Sequence, residues 1–337
     1  MIHKEDDIQF DAYPVSLERV TAYTRKYSRP APIKGYYVTR IFIRLLLASA
    51  QRLSWKWAYR VGTGIGSLLY KLKIRRDVAL INLDIVYGDK KSAREKEWIY
   101  KESMLNLGRM IINYLRLPYM GPSFWENNCD WKNESILKEV INRKKGVLLI
   151  AGHIGMMDLP GGKFGMGGYP VAVVGKNIKN PAIDRLVIET RNAMNLGTIN
   201  PKGSMERIIA GIQRGEAIAM AIDQNMKKEY GIFLNWMGRP ASSVRSAAYV
   251  VRETGVPVIA GYCFQKDVDR FELVITEEIK WESFPDDPER ELAVNAQHQA
   301  DALQRIILDK PELWFWIHRR WKLHPKGFQN PYKKESD

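Results

Sequence analysis

Two short stretches hold the residues whose types could do chemistry. The first, GVLLIAGHIGMMDLPGG, sets His153 and Asp158 just after an apolar run of strand length, Val147 to Ala151. The second, AIAMAIDQNM, sets Asp223, Gln224 and Asn225 after Ala217 to Ile222. An imidazole near neutral pKa takes a proton from an alcohol, and a carboxylate beside it fixes the tautomer and stabilises the imidazolium that forms. His and Asp at this spacing lie about 140° apart on a regular helix, so they meet only if the intervening IGMM makes a turn. Gly152 and Gly155 permit one. A His-x4-Asp pattern alone is a weak signal, because a histidine after a strand also serves as an ordinary loop residue bonded to backbone.

Other chemistries have less support. His3, His298, His318 and His324 show no His-x3-His or Glu-x2-His spacing, so no metal site is expected. No GxxxxGK[ST] is present, and Gly62, Gly64 and Gly66 fall inside a basic segment rather than after a strand, which reads as close helix packing instead of a phosphate cradle. The G-x-S-x-G of a serine hydrolase is also missing. Base-assisted attack by a substrate hydroxyl remains, with no covalent enzyme intermediate and no cofactor.

The elements that must position these residues follow from periodicity. Apolar runs of strand length occur at 147–151, 171–174, 217–222, 256–261 and 271–275, separated by helical stretches near 181–196, 203–214 and 242–255 and followed by 289–308. Strands alternating with helices predict an α/β fold, a largely parallel central sheet flanked by helices, whose chemistry sits beyond the carboxyl ends of strands. A further helix is expected over 92–117, ending at Pro118, and Ser242 is read as a helix N-cap. With 337 residues, 45% of them hydrophobic, and two cysteines, the chain is neither a disordered tail, a disulfide-stapled module nor a fibre. The expected layout is an extension over 1–33, a basic amphipathic segment over 34–76, the α/β domain over 77–325 and a basic polar tail over 326–337.

Charge is unevenly spread. The formal net charge is +14, yet residues 34–76 carry ten Lys and Arg without an acid, and residues 318–334 add six more. Such segments look for a phosphate-rich surface. No run near Tyr36 to Leu72 approaches the roughly 20 apolar residues of a membrane span. Arg40, Arg44, Arg52 and Lys56 gather on one helical face beside Trp55, Trp57, Tyr59 and Tyr70, which reads as a helical hairpin lying on an anionic membrane. The plainer alternative is an amphipathic helix packed on the domain with a solvated basic face; a tilted, snorkelling transmembrane helix serving as a single N-terminal anchor is the third. A nucleic-acid partner would call for a reading helix or aromatic sheet motif that is not identifiable. The start, MIHKEDDIQFDAYP, lacks an apolar h-region, so a reducing compartment and free thiols at Cys129 and Cys263 are expected. His318, Arg319 and Arg320, with Trp321 and Lys322, could grip a substrate phosphate or a carrier's phosphopantetheine.

Taken together, GHIGMMD, NPAIDRLVIETRNAMNLGTINPKG, RGEAIAMAIDQN, GIFLNWMGRPAS and PELWFWIHRRWK resemble the bacterial lipid A late acyltransferases of the lysophospholipid acyltransferase superfamily, over about residues 38–325. The resemblance implies an enzyme on the cytoplasmic face of the bacterial inner membrane that moves a fatty acyl group from acyl carrier protein to a hydroxyl of a lipid A precursor. It implies His153 as general base, Asp158 as its partner, Arg191 as a site arginine and Asp223 at the Asp-Gln position. The chain departs from the pattern where Met156, Met157 and Asp158 replace the usual Asn-Trp-Glu, and where Lys176-Asn177 replaces Arg-Pro. Both touch the acceptor rather than the chemistry, leaving open a lysophospholipid, a phosphatidylinositol mannoside or an aminolipid. A non-enzymatic binder of anionic membrane or nucleic acid is the reading from another class. Arg191 is the candidate for the developing oxyanion, Asp223 would orient Arg191 or the acceptor, Gln224 and Lys176 would contact substrate, and Met156, Met157, Phe164 and Met166 are candidates to line an acyl groove.

Overall fold

A computed structural model describes residues 36–333; the expectations for residues 1–33 and for the last four residues lie outside them. Nine strands and eleven α-helices are described. The helices that precede the sheet are α1 (Tyr36–Ala50), α2 (Trp55–Lys71), α3 (Arg76–Tyr87), α4 (Ala93–Arg116) and α5 (Pro122–Asn127). Then come β1 (Cys129–Lys132), α6 (Glu134–Asn142), β2 (Val147–Ala151), α7 (Leu159–Met166), β3 (Val171–Val174), α8 (Pro181–Ala193), β4 (Leu196–Ile199), α9 (Met205–Gln213) and β5 (Ala217–Ala221). The chain continues through β6 (Gly231–Trp236), β7 (Arg239–Val244), α10 (Ser246–Thr254), β8 (Val258–Gln265), β9 (Phe271–Glu278) and α11 (Pro288–Asp309).

The main sheet runs β1-β9-β8-β2-β5-β3-β4, parallel throughout except for the β8/β9 pair. Alternate strand residues enter two cores. Leu148, Ile150, Ile218 and Met220 pack with Ile208 and Ile212 of α9, Val250 and Val251 of α10, and Leu303 and Ile307 of α11. Val147, Leu149 and Ala217 pack with Leu137 of α6 and Leu159 and Phe164 of α7. The expected α/β architecture is therefore present, with helices on both faces. Four strands were not anticipated, β1 and β4 of four residues each and the two of the β6/β7 hairpin, nor were the helices α3, α5, α6 and α7. That hairpin closes through Met237 and Gly238, both at positive φ (51° and 86°), the conformation a two-residue hairpin turn demands. Ser242 accordingly lies buried inside β7 rather than capping a helix. Cys129 and Cys263 are buried free thiols.

Helix α4 starts with a capping box between Ser92 and Glu95 and forms the spine of the helical layer. Against it lies α2, brought close by glycines: a Cβ on Gly62 would come within 2.7 Å of Arg109 Cα, and one on Gly66 within 2.5 Å of Leu105 Cα. Gly108 of α4 meets the same seam from the other side. Gly64 faces open space. At its start α2 is held by a Ser54 N-cap and by Trp55, which stacks on Phe124 and lies under the Arg116 guanidinium, 4.0 Å away. The basic segment is thus built into the domain through α2. Its first helix, α1, leaves Tyr37, Val38, Ile41, Phe42 and Leu45 exposed. No helix among the described residues is long and apolar enough to cross a membrane.

Candidate active site

Strands β2 and β5 are neighbours, and their register pairs Val147 with Ala217 through to Ala151 with Ala221. The ladder continues one step, the Ile222 N–H donating to Ala151 O (3.1 Å). Carried on at the same offset, it puts His153 opposite Asp223 at the carboxyl ends of the strands, where α/β folds place their chemistry. His153 Nδ1 is 2.8 Å from Asp223 Oδ1, and the His153 backbone N–H donates to Oδ2 at 2.9 Å. A carboxylate only accepts, so Nδ1 carries the proton and Nε2 keeps its lone pair. Gln224 Nε2 lies 3.0 Å from that lone pair. Asp223 is almost fully buried (2% exposed), whereas the His153 side chain keeps 28% of its surface. Burial opposes charge on both. The partner outweighs burial in each case: Asp223's charge and hydrogen bond raise the His153 pKa, with Asp158 adding to the effect, and His153 holds the Asp223 carboxyl well below the usual range.

Asp158 sits elsewhere in the site. The loop after His153 is stitched to β8 by a hydrogen bond from Met156 N–H to Cys263 O (2.9 Å), with Gly155 at φ 54° where a Cβ would collide with the Cys263 carbonyl. Asp158 then stands at the head of α7, but its carboxylate does not cap that helix. Oδ2 accepts from Arg191 Nε (2.8 Å) and from the Tyr114 hydroxyl (3.0 Å), and Oδ1 accepts from Arg191 Nη2 (3.1 Å). The turn that Gly152 and Gly155 were expected to allow therefore delivers Asp158 to Arg191, not to His153 Nδ1. Asp223 takes that place, instead of orienting Arg191 or an acceptor. Arg191 is held in a bidentate pair whose charge is already balanced, and its own pKa is raised by Asp158 against the effect of burial.

The remaining candidates divide by exposure. Lys176 is exposed, beyond the end of β3. Arg319 is also exposed, over the Tyr332 ring. Arg320 is fully buried: it donates to Ser242 O (2.6 Å) and to Ser243 Oγ, and lies 4.2 Å from the Trp236 ring. It cannot reach a substrate phosphate. His318 Nε2 accepts from the Asn225 N–H (3.0 Å), and burial pushes its pKa down to about 4, so it is a neutral acceptor within the fold. Met156 and Phe164 belong to the second core, with Met166 packed against it. Two site residues were missed from the sequence, Tyr114 and Trp314. The indole of Trp314 donates to Asp223 Oδ2 at 2.9 Å. Neither has a local signal, since each reaches the site from a distant element.

A dyad with an unprotonated Nε2 near a solvent-reachable strand end can accept a proton from a substrate hydroxyl. Among the described residues, no serine, threonine or cysteine side chain hydrogen-bonds to His153, whose partners are Asp223 and Gln224. No group of metal-ligating residues occurs among them either.

The family model for the bacterial lipid A biosynthesis acyltransferases matches residues 27–323. The chain belongs to that family. It is an acyltransferase. Similar proteins include the lipid A biosynthesis palmitoleoyltransferase of Escherichia coli (strain K12), 24% identical over 310 residues that cover 91% of this chain and 98% of that one. The lipid A biosynthesis lauroyltransferase of the same organism is 23% identical over 317 residues, again covering 91% and 98%. A crystal structure of the 1-acyl-sn-glycerophosphate acyltransferase PlsC from Thermotoga maritima aligns at 12% identity with a TM-score of 0.32, over 73% of this chain and 98% of that one.

Proposed function

We propose that this acyltransferase moves a fatty acyl group from an acyl carrier protein thioester to a hydroxyl of a lipid A precursor, with His153 as general base and Asp223 as its orienting acid. The observation that carries the reading is the His153 Nδ1–Asp223 hydrogen bond, which leaves Nε2 as the proton acceptor. A substrate hydroxyl displaces the Gln224 amide from Nε2, gives up its proton there and attacks the thioester carbonyl carbon. Collapse of the tetrahedral intermediate breaks the C–S bond, and the imidazolium returns the proton to the departing sulfur. The products are an ester and the free carrier thiol. Asp158 and Arg191, tied to α4 through Tyr114, hold the loop that begins at His153 and set the field around it. The lipid A acceptor is supported by the family and by the relatives' names.

One observation favours a second reading: Asp158 stands where the resembling late acyltransferases carry Glu, and Asp is the acid of the glycerolipid branch. The purified full chain should add one acyl mass to a lipid A precursor when given acyl carrier protein thioester, and none to a lysophospholipid, as read by mass spectrometry. The reverse outcome would replace the first acceptor by the second.

Attachment to the inner membrane's cytoplasmic face is part of the proposal. Tyr37, Val38, Ile41, Phe42 and Leu45 of α1 are 59–72% exposed, interleaved with Arg40 and Arg44. An apolar face flanked by cations suits an anionic leaflet, which attracts about 1 kcal/mol per nearby Lys or Arg. Binding to vesicles containing phosphatidylglycerol should weaken as salt rises. Replacing Ile41, Phe42 and Leu45 by Asp should lower the affinity on the order of 100-fold or more, because each large apolar side chain buried contributes roughly 1.5–3 kcal/mol. Salt-independent binding, or a variant that binds normally, would remove α1 from this role.

A further inference from the structure

The tail motif PELWFWIHRRWK has no role in the chemistry just proposed, since His318 and Arg320 are engaged inside the fold. Its first half lies directly over the dyad. Gly155 N–H donates to Leu313 O (3.0 Å), Phe315 N–H donates to His153 O (3.1 Å), and Ile154 bridges Trp314 in antiparallel fashion. The other side of the segment is held by the helical layer: Asn106 of α4 donates to Glu312 O (2.9 Å), and Asn82 of α3 donates to the carbonyls of Trp316 (2.6 Å) and His318 (2.8 Å). Trp314 is 2% exposed and meets the Trp316 ring edge-on at 4.7 Å. Its indole N–H donates to Asp223 Oδ2 at 2.9 Å.

We infer that Trp314 is a positioning residue for acyl transfer, fixing the rotation of the Asp223 carboxylate so that Oδ1 faces His153 Nδ1. The inference rests on the general-base reading above. Two donors, the Trp314 indole and the His153 backbone N–H, converge on Oδ2 and leave Oδ1 for the imidazole. An indole N–H can only donate, so the chain of bonds from Trp314 through Asp223 to His153 runs in one direction. A hydroxyl or a water in the same place could reverse. Trp314 also draws part of the carboxylate's charge away from Nδ1. Without that donor the carboxylate binds the imidazolium proton more strongly, and His153 loses its proton only at higher pH. The groups that face His153 are Asp223, Gln224, the Asp158–Arg191 pair and His318; a change at Trp314 alters none of their identities.

The test uses the full chain with acyl carrier protein thioester and a lipid A precursor in micelles. Trp314→Phe should lower kcat roughly 10-fold or more, as loss of a hydrogen bond to a charged group does, with KM nearly unchanged and the acid limb of kcat/KM moved to higher pH. A purely structural loss would reduce the active fraction and leave that limb in place. Trp316→Phe serves as control, because its indole donates to Pro311 O and not to the dyad; its limb should stay at the wild-type pH. Wild-type kcat with an unmoved limb in Trp314→Phe overturns the inference, as does an equal shift in Trp316→Phe. Should Trp314→Phe not fold, the wild-type chain labelled with 15N-Trp decides: the Trp314 indole N–H should be protected from exchange and follow the His153 titration, and an indole signal that does neither ends the proposal. Turnover surviving in His153→Ala would instead sink the general-base reading itself.

Discussion

Asp223→Asn should lower kcat for acyl transfer on the order of 10³–10⁴-fold while leaving the fold intact. The reason is the direction of protons. Two N–H groups, from Trp314 and from the His153 backbone, point at the Oδ2 position, so the amide must place its oxygen there. Its NH2 then occupies the Oδ1 position and donates to Nδ1, which forces the imidazole proton onto Nε2. Such a histidine has no lone pair facing the acceptor hydroxyl. Any residual activity should also show its acid limb at lower pH. Asp223 is what raises the His153 pKa against burial, and without the carboxylate the folded-state pKa falls. Asp158→Asn should behave differently. Its carboxylate acts on His153 only through space, so the limb should move in the same direction by less, with no change of tautomer. The larger effect of removing that carboxylate is on stability: a buried Arg191 left without its partner costs about 3–5 kcal/mol. Kinetics and denaturant unfolding of the two variants, measured side by side, assign the roles. Equal kcat losses without any destabilisation in Asp158→Asn would return the partnership to Asp158.

His153→Ala should reduce turnover on the order of 10⁴-fold or more, to a level set by substrate binding alone. The side chain is partly exposed and belongs to neither core, so folding and vesicle binding should persist. Asp223 is affected more. Its depressed pKa depends on His153, so in the variant it should rise, and the stability that this carboxylate contributes at neutral pH should be lost at a higher pH on acidification than in wild type. Product formation can be followed as thiol released from the acyl carrier protein. Turnover near the wild-type rate would exclude His153 as the base.

Much of this arrangement was legible in the chain. Runs such as Val147 to Ala151 and Ala217 to Ile222 are apolar at every position because both faces of a parallel strand are covered, and that marked the strands and the polar residues ending them. What could not be read was which strand lies beside which. His153 and Asp223 meet because β5 follows three intervening helices and two strands yet returns to the edge of β2; sequence distance instead favoured Asp158, the nearer acid. Strands β1 (CDWK) and β4 (LGTI) are interrupted by polar residues or glycine and so carry no apolar run, unlike the equally short β3 (VAVV). The serines of β7 made it look like the start of a helix, although Ser242 and Ser243 are buried against the Arg320 side chain. The same contact explains why counting tail cations overstated the charge available to a ligand: a guanidinium deep in the fold contributes to net charge and not to the surface.

The glycine seam between α2 and α4 has one more consequence. With the backbones of the two helices in contact at Gly62, Gly66 and Gly108, α2 has no side-chain cushion along which to slide. Helix α4 delivers Tyr114 to Asp158 at one level and Asn106 to the tail at another. Helix α1 in turn rests on α4 and α8. The exposed face of α1 and the imidazole of His153 are thus joined by a stiff strut. An acyltransferase seated on a bilayer by that face would carry its base at a constant height above the lipid, and the hydroxyl it serves would be chosen partly by how far it stands from the acyl chains.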